Sequence, residues 1–292
     1  MKLFRLQQPL TAYILFIFVF SLFSSCIKNE EDDLSTSGAK LKTQIYETIK
    51  NHTIISYTPG VWSAYATTDI RTDGYINDLY KPSSRYRYKT DQQTSTSVKE
   101  GKYNREHALP QSWFGYSKGA IYSDLNHIYP TDAVENEFRS NYPYGVVNNG
   151  SKEYSSTNTF CWRGNMKIPG TTTTTIVFEP NDQIKGNIAR SYFYIATRYE
   201  DSDFSEWGKS SMLSHTSYPF FQKWAYTMLL EWNRLDPVDD TERKRNDAVA
   251  KIQGKRNPYI DDPELAEYIW GDKIGQPYNM TRIAMPIAVY RD

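Results

Sequence analysis

Three prolines, Pro110, Pro130 and Pro143, cut residues 103–145 into pieces too short for a long helix or a long paired strand. Each removes a backbone donor and fixes φ, so elements here must be brief and must end near these positions. Residues 102–109, closed by Pro110, read as a short strand or extended segment. Thr131 follows Pro130 and precedes Asp132 and Glu135, the pattern of a threonine N-cap with acids in the first turn. That predicts a helix running to about Arg139 and stopping before Pro143. On it Asp132, Asn136 and Arg139 are spaced four and three apart and share one face. Extended element, loop and helix together make a compact ββα-like hairpin.

Chemistry is concentrated in the same stretch. It holds two of the chain's four histidines, His107 and His127, with Glu106, Asp124, Asn126, Asp132, Asn136, Arg139 and Asn141 beside them. A neutral imidazole takes a proton from water near neutral pH. An oxygen-only pair, Glu106 and the Asn136 amide, suits a hard cation such as magnesium, which keeps several waters and takes phosphate oxygens as further ligands. Arg139 can hold a phosphate oxygen in a fork. The set suits phosphodiester hydrolysis.

At these residues the chain resembles the endonuclease I family. The likeness is carried by Asn104-Arg105-Glu106-His107, Pro110-Gln111-Ser112-Trp113-Phe114, Asp124-Leu125-Asn126-His127 through Asp132, and Asn136 with Arg139-Ser140-Asn141-Tyr142-Pro143-Tyr144-Gly145. It continues in His52 to Tyr57, Val61-Trp62, Asn187 to Asp201 and Ile252 to Asp261, so it covers roughly residues 40–271. The resemblance implies a non-specific nuclease with a ββα-metal (His-Me finger) site, secreted or periplasmic. It implies His107 as general base, Glu106 and Asn136 as ligands to one divalent ion, and 5′-phosphate products. It makes Arg190 a candidate phosphate contact, a salt bridge being the alternative. Asn126, His127 and Asn141 are expected to support the site, His127 either touching the metal shell or orienting it. Glu106 and His107 are neighbours, and neighbours on a regular strand face opposite ways; sharing one metal calls for a bend or bulge.

The N-terminus points outward from the cell. Lys2 and Arg5 precede an apolar run from about Leu10 to Phe23, then Ser24-Ser25-Cys26, which reads as a lipoprotein signal over residues 1–25 with Cys26 lipidated. Residues 26–38 are charged and polar, a flexible acidic tether. Formal net charge is zero, and loss of Lys2 and Arg5 leaves a slight acidic excess. A broad phosphate-tracking surface is therefore not expected, only a local positive patch. Cys161, between aromatics and without a partner, is expected to be a buried inert thiol. No Cys-x-x-Cys or His-Glu-x-x-His pattern occurs, which argues against zinc.

Elsewhere, Leu41, Ile45 and Ile49 predict an amphipathic helix over residues 39–50. A turn at Pro59-Gly60 or a helix over residues 61–68, a strand over 75–80, a loop over 83–99 and a loop running into a strand at Ile176-Val177-Phe178 follow. Helices are expected over residues 182–200, 218–233, 241–254 and 265–270. The commitment is an α+β, helix-rich single domain over residues 39–272, with a tail, 273–292, of unassigned role. Its function is expected to be metal-dependent endonuclease action on DNA, RNA or both, with magnesium, or else calcium or manganese. It is expected as an outer-membrane lipoprotein, held to the membrane by lipid and without an obligate protein partner. The rivals are a glycan-binding surface lipoprotein, suggested by 24 tyrosines and 7 tryptophans, and a dedicated ribonuclease.

Overall fold

Leu41, Ile45 and Ile49 recur at fours and form the buried stripe of α1 (Gly38–Ile49). This computed structural model describes residues 36–115 and 119–283; the signal segment, Cys26, most of the tether and the last nine residues of the tail lie outside them. After α1, a wide turn at Tyr57–Val61 leads into α2 (Trp62–Thr68), whose Trp62, Ala64 and Tyr65 are buried. Residues 75–80 form no strand: their ladder contacts are the isolated bridges Ile70 to Ile76 and Tyr75 to Arg87. The loop that follows is anchored by Tyr86, buried against Tyr103.

Pro110 and Pro143 lie beyond the ends of their elements as expected, whereas Pro130 stands inside a strand, opposite Arg105. β1 (Tyr103–His107) pairs antiparallel with β2 (Ile128–Asp132), His107 opposite Ile128 and Tyr103 opposite Asp132. Then α3 (Ala133–Arg139) begins without a loop and packs on β1. The cap is Asp132, not Thr131: its carboxylate accepts from the amides of Val134 and Glu135. Thr131 stays in the strand and gives its hydroxyl to Asp78.

A second antiparallel pair, β3 (Trp162–Lys167) and β4 (Thr174–Glu179), lies beside α3. β3 escapes sequence reading because its apolar positions are few, Gly164 and Asn165 interrupting them. Gly164 is needed there, since a Cβ would sit 2.1 Å from the Ser151 carbonyl oxygen. The core is built on α4 (Lys185–Arg198), buried at every position but Asn187, so Arg190 and Arg198 are inside rather than on its surface. A helix enclosed all round needs partners all round, and α1, α5 (Lys223–Leu235) and α7 (Pro258–Asp261) supply them. α5 starts five residues later than the apolar run suggests, behind the turn at Pro219. α6 (Asp240–Gln253) is capped by Asp239 and ended by Gly254 at φ 75°, and it packs on α2. α8 (Leu265–Trp270) closes the core. The architecture is mixed α+β, and no described helix is long and apolar enough to cross a membrane.

Candidate active site

The edge of β1 and the face of α3 meet in one open pocket. Glu106, His107, Asn136, Arg139 and Asn141 all line it, with Tyr57, Asn104, Arg105, Pro110, Gln111, Ser112 and Ser140. Two neighbours reach one pocket without a bulge, for the β1–β2 register is unbroken through His107. The pocket instead straddles the strand where it ends. Glu106 enters from the side of Tyr80 and Arg139, and His107 from the side of Tyr57 and Tyr122.

His107 is held at both ring nitrogens. Nε2 lies 3.2 Å from the Tyr122 carbonyl oxygen, an acceptor only, so Nε2 carries the proton and donates. Nδ1 is then the lone-pair nitrogen, and it accepts from Gln111 Nε2 at 3.0 Å. Tyr57 and Tyr122 stack on the ring at 5.5 and 5.7 Å between centroids, and the His127 ring lies 5.5 Å away. Burial, then the neighbouring His127, pushes the His107 pKa well below the free-imidazole value of 6.5. The ring is neutral at neutral pH.

Glu106 is 2% exposed. Its Oε1 accepts from Tyr80 at 2.7 Å and faces Arg139 Nη1 at 3.2 Å, while Oε2 has no hydrogen-bond partner among the described residues. Burial raises its pKa; Arg139 and the Tyr80 hydroxyl oppose the rise by favouring the anion. Asn136 donates its amide to the Arg105 carbonyl at 3.1 Å. That bond fixes the amide nitrogen on the strand and leaves the oxygen without a partner among the described residues. One carboxylate oxygen and one amide oxygen therefore line the pocket uncommitted. Two such oxygens fit a hard divalent ion that keeps most of its waters; no group of three or more His, Cys, Asp or Glu that could hold a metal ion by itself is present among the described residues.

A profile of the Endonuclease I family matches residues 37–264. The chain belongs to the endonuclease I family. It is 36% identical over 241 residues to an extracellular ribonuclease of Bacillus subtilis, covering 80% of this chain and 75% of that one. It is 28% identical over 172 residues to an Endonuclease-1 of Buchnera aphidicola, 53% of this chain and 58% of that one. A periplasmic deoxyribonuclease of Aeromonas hydrophila matches at 24% over 138 residues, 47% of either chain. A nuclease is what this family membership makes it, and the sequence resemblance to the family stands.

Not every residue singled out for this nuclease lies in the pocket. Arg139 lines it with both terminal nitrogens engaged, Nη1 with the carbonyls of His107 and Ser140 (3.2 and 3.3 Å) and Nη2 with that of Ala108 (2.7 Å), while its buried Nε has no partner among the described residues. In this arrangement it braces the end of β1 against α3 and offsets Glu106. Arg190 lies outside the pocket, inaccessible, in a two-pronged pair with Glu242 at 2.7 and 2.6 Å. A guanidinium so enclosed has no route to phosphate, and the salt bridge is the alternative the structure adopts. Asn126 folds back on Asp124 in the turn before β2. His127 is fully buried behind His107, with Nε2 2.7 Å from the Ile121 carbonyl and Nδ1 unpaired. Asn141 is on the pocket rim, 3.4 Å from the Ser112 hydroxyl. Cys161 is buried and free, as expected.

Sequence reasoning missed the residues that hold His107. Gln111, Tyr57, Tyr122 and Arg105 had no assigned role, although three of them fall inside the quoted motifs. Arg105 is sandwiched between Tyr57 and Trp62, at 3.5 and 4.4 Å from the ring centroids. It donates to the Tyr57 carbonyl and the Thr58 hydroxyl, which brings the Tyr57 ring onto His107. No local period signals this, because the contact joins segments 48 residues apart.

Proposed function

We propose that the protein is an exported, metal-dependent endonuclease that hydrolyses phosphodiester bonds of DNA, RNA or both with little base preference, leaving 5′-phosphates. The observation that carries the reading is the tautomer of His107: its proton sits toward Tyr122, its lone pair toward the pocket lined by Glu106 and Asn136.

His107 Nδ1 takes a proton from a water standing where the Gln111 amide now donates. The resulting hydroxide forms the new P–O bond in line, and the 3′-oxygen departs with the electron pair. A magnesium ion, or calcium or manganese, held by the Glu106 carboxylate and the Asn136 amide oxygen, would neutralise charge at the phosphate and the leaving oxygen. Arg139 opposes the rise that burial gives the Glu106 pKa and fixes the carbonyl of His107, so the base and the ligand oxygen stay in register. Asn136 is aimed by its bond to the Arg105 carbonyl. Base edges play no part in these contacts, which favours backbone recognition and weak sequence preference.

The relatives matched over most of this chain are named ribonucleases, and shorter matches deoxyribonucleases. This supports phosphodiester chemistry without deciding the sugar. Their names, extracellular and periplasmic, support export, with Cys26 as the proposed lipid anchor in an outer membrane. The purified chain from residue 34 onward is incubated with plasmid and with RNA, with and without EDTA. Cleavage that the chelator stops is expected; survival of both nucleic acids in magnesium, calcium and manganese alike would sink the enzyme.

A further inference from the structure

Beside the catalytic pocket, across the turn at residues 140–142, lies a second concave surface that the chemistry above does not use. It is lined by Tyr142, Arg163, Asn165 and Ile176, with the loop at Gly150 and Ser151 as its wall. Along β3, Gly164 and Met166 face inward, so Arg163, Asn165 and Lys167 share the outer face at roughly 7 Å spacing. The register puts Ile176 opposite Asn165 and Thr174 opposite Lys167. Ile176 is 43% exposed, although a β-branched side chain in a strand ordinarily finds cover. Lys167 has no ion-pair partner among the described residues.

Arg163 is the informative residue. Its guanidinium lies over the rings of Phe138 and Tyr142, at 4.4 and 5.4 Å, and one donor reaches the Phe138 carbonyl in α3. Nη2 and Nε point to one carboxylate oxygen of Glu153, at 2.9 and 3.3 Å. Glu153 is 63% exposed at its side chain, so this anion is only lightly held. A stacked guanidinium with its donor edge turned to a displaceable anion is what a phosphate oxygen requires.

We propose that this face holds an unpaired stretch of the substrate strand next to the cleaved phosphodiester, with Arg163 and Lys167 on phosphate oxygens and Tyr142 and Ile176 under the bases. The assignment rests on the nuclease reading above. Continuity supports it: Asn141 lines the catalytic pocket, Tyr142 this one, and Arg163 is bonded to the helix that carries Asn136. Chemistry favours an unpaired strand. A duplex presents phosphates outward and would leave the tyrosine ring and the isoleucine facing water. A single strand offers a flat base for each and a phosphate for each cation.

The test is fluorescence anisotropy with the chain in EDTA, so that no cleavage intervenes. The probe is a labelled oligothymidylate of about 16 nucleotides, within the site size of such platforms. Arg163→Ala is expected to weaken binding about tenfold and to lower the salt slope by about one. Glu153→Gln is expected to tighten it about threefold by freeing Arg163, a gain that misfolding cannot mimic. Cleavage of a chromogenic diester of one nucleotide, too short to reach the sheet, is expected to stay at the parental rate in both variants. Unchanged binding in both variants overturns the proposal, as does equal weakening on a blunt duplex or equal competition by polyglutamate. A matching loss on the small diester also overturns it, by making Arg163 part of the catalytic pocket. A parent that binds the strand through Arg163 yet cleaves nothing leaves this surface standing and removes the enzyme reading.

Discussion

Replacing Arg190 with methionine separates two roles that the sequence alone left open. In the structure its guanidinium is inaccessible and makes two bonds to Glu242, one to Asn233 and one to the Asp236 carbonyl, joining α4, α5 and α6. Removing one partner of such a pair strands the other charge without water, which costs about 3–5 kcal/mol. For a domain of this size that is a fall of about 10 °C in melting temperature. The deficit should depend on pH with a definite sign. Burial already raises the Glu242 pKa, and Arg190 is the main group holding it down. In the variant Glu242 takes up a proton on folding, so the stability it contributes is fullest below its unfolded value of 4.5 and is lost as pH rises. The gap from the parent therefore narrows in acid and widens in alkali. Adding Glu242→Met should recover more than half of the loss, since a pair of charges replaced together is close to neutral. Urea melts at pH 5 and pH 8 measure these terms, and nucleic-acid cleavage well below the melting temperature should stay within about twofold of the parent. A variant that melts like the parent yet cannot cleave would place Arg190 on a phosphate and refute the buried-pair argument.

Three further expectations concern the pocket and the core. His107→Ala should lower cleavage by about 10²–10⁴-fold while circular dichroism and melting stay close to the parent; retained activity would remove the base. Glu106→Gln and Asn136→Ala should each raise the magnesium concentration needed for half-maximal cleavage, and excess EDTA should abolish parental activity, whereas activity indifferent to chelator would dismiss the metal. Cys161, the sole cysteine in a chain that starts after Cys26, is inaccessible and its thiol is pushed up by burial, so Ellman's reagent should label it only as fast as the protein unfolds; rapid labelling of the folded chain would contradict the packing around α4.

The ββα hairpin was legible because its signals are local. Pro110 and Pro143 bound it, the acids at its helix start mark that start to within a residue although the cap is Asp132 and not Thr131, and spacing on α3 puts Asn136 and Arg139 on one side. The same logic located most helices within a few residues. It failed where tertiary contacts decide. Arg190, in a helical segment, reads as surface until α5 and α6 close over it. Arg139 reads as a phosphate fork until the carbonyls of His107 and Ala108 occupy its donors. Tyr75 to Tyr80 has strand composition, yet Asp78 draws it into a turn by accepting the amides of Tyr80 and Lys81.

Those failures share a physical origin that bears on how the nuclease keeps its site in order. An imidazole and a carboxylate side by side want opposite surroundings: burial favours the neutral imidazole and disfavours the ionised carboxylate. The chain resolves this on either side of one strand. Around His107 it places aromatic rings and a second neutral histidine. Around Glu106 it places a tyrosine hydroxyl and the one guanidinium that lines the same pocket from α3. Moving Arg139 outward to grip phosphate would strip Glu106 of its counter-charge and release the His107 carbonyl together. Bracing β1 and balancing Glu106 are therefore joined in one side chain, and in the function proposed above a divalent ion at the pocket and Arg163 of the neighbouring sheet would meet the phosphates.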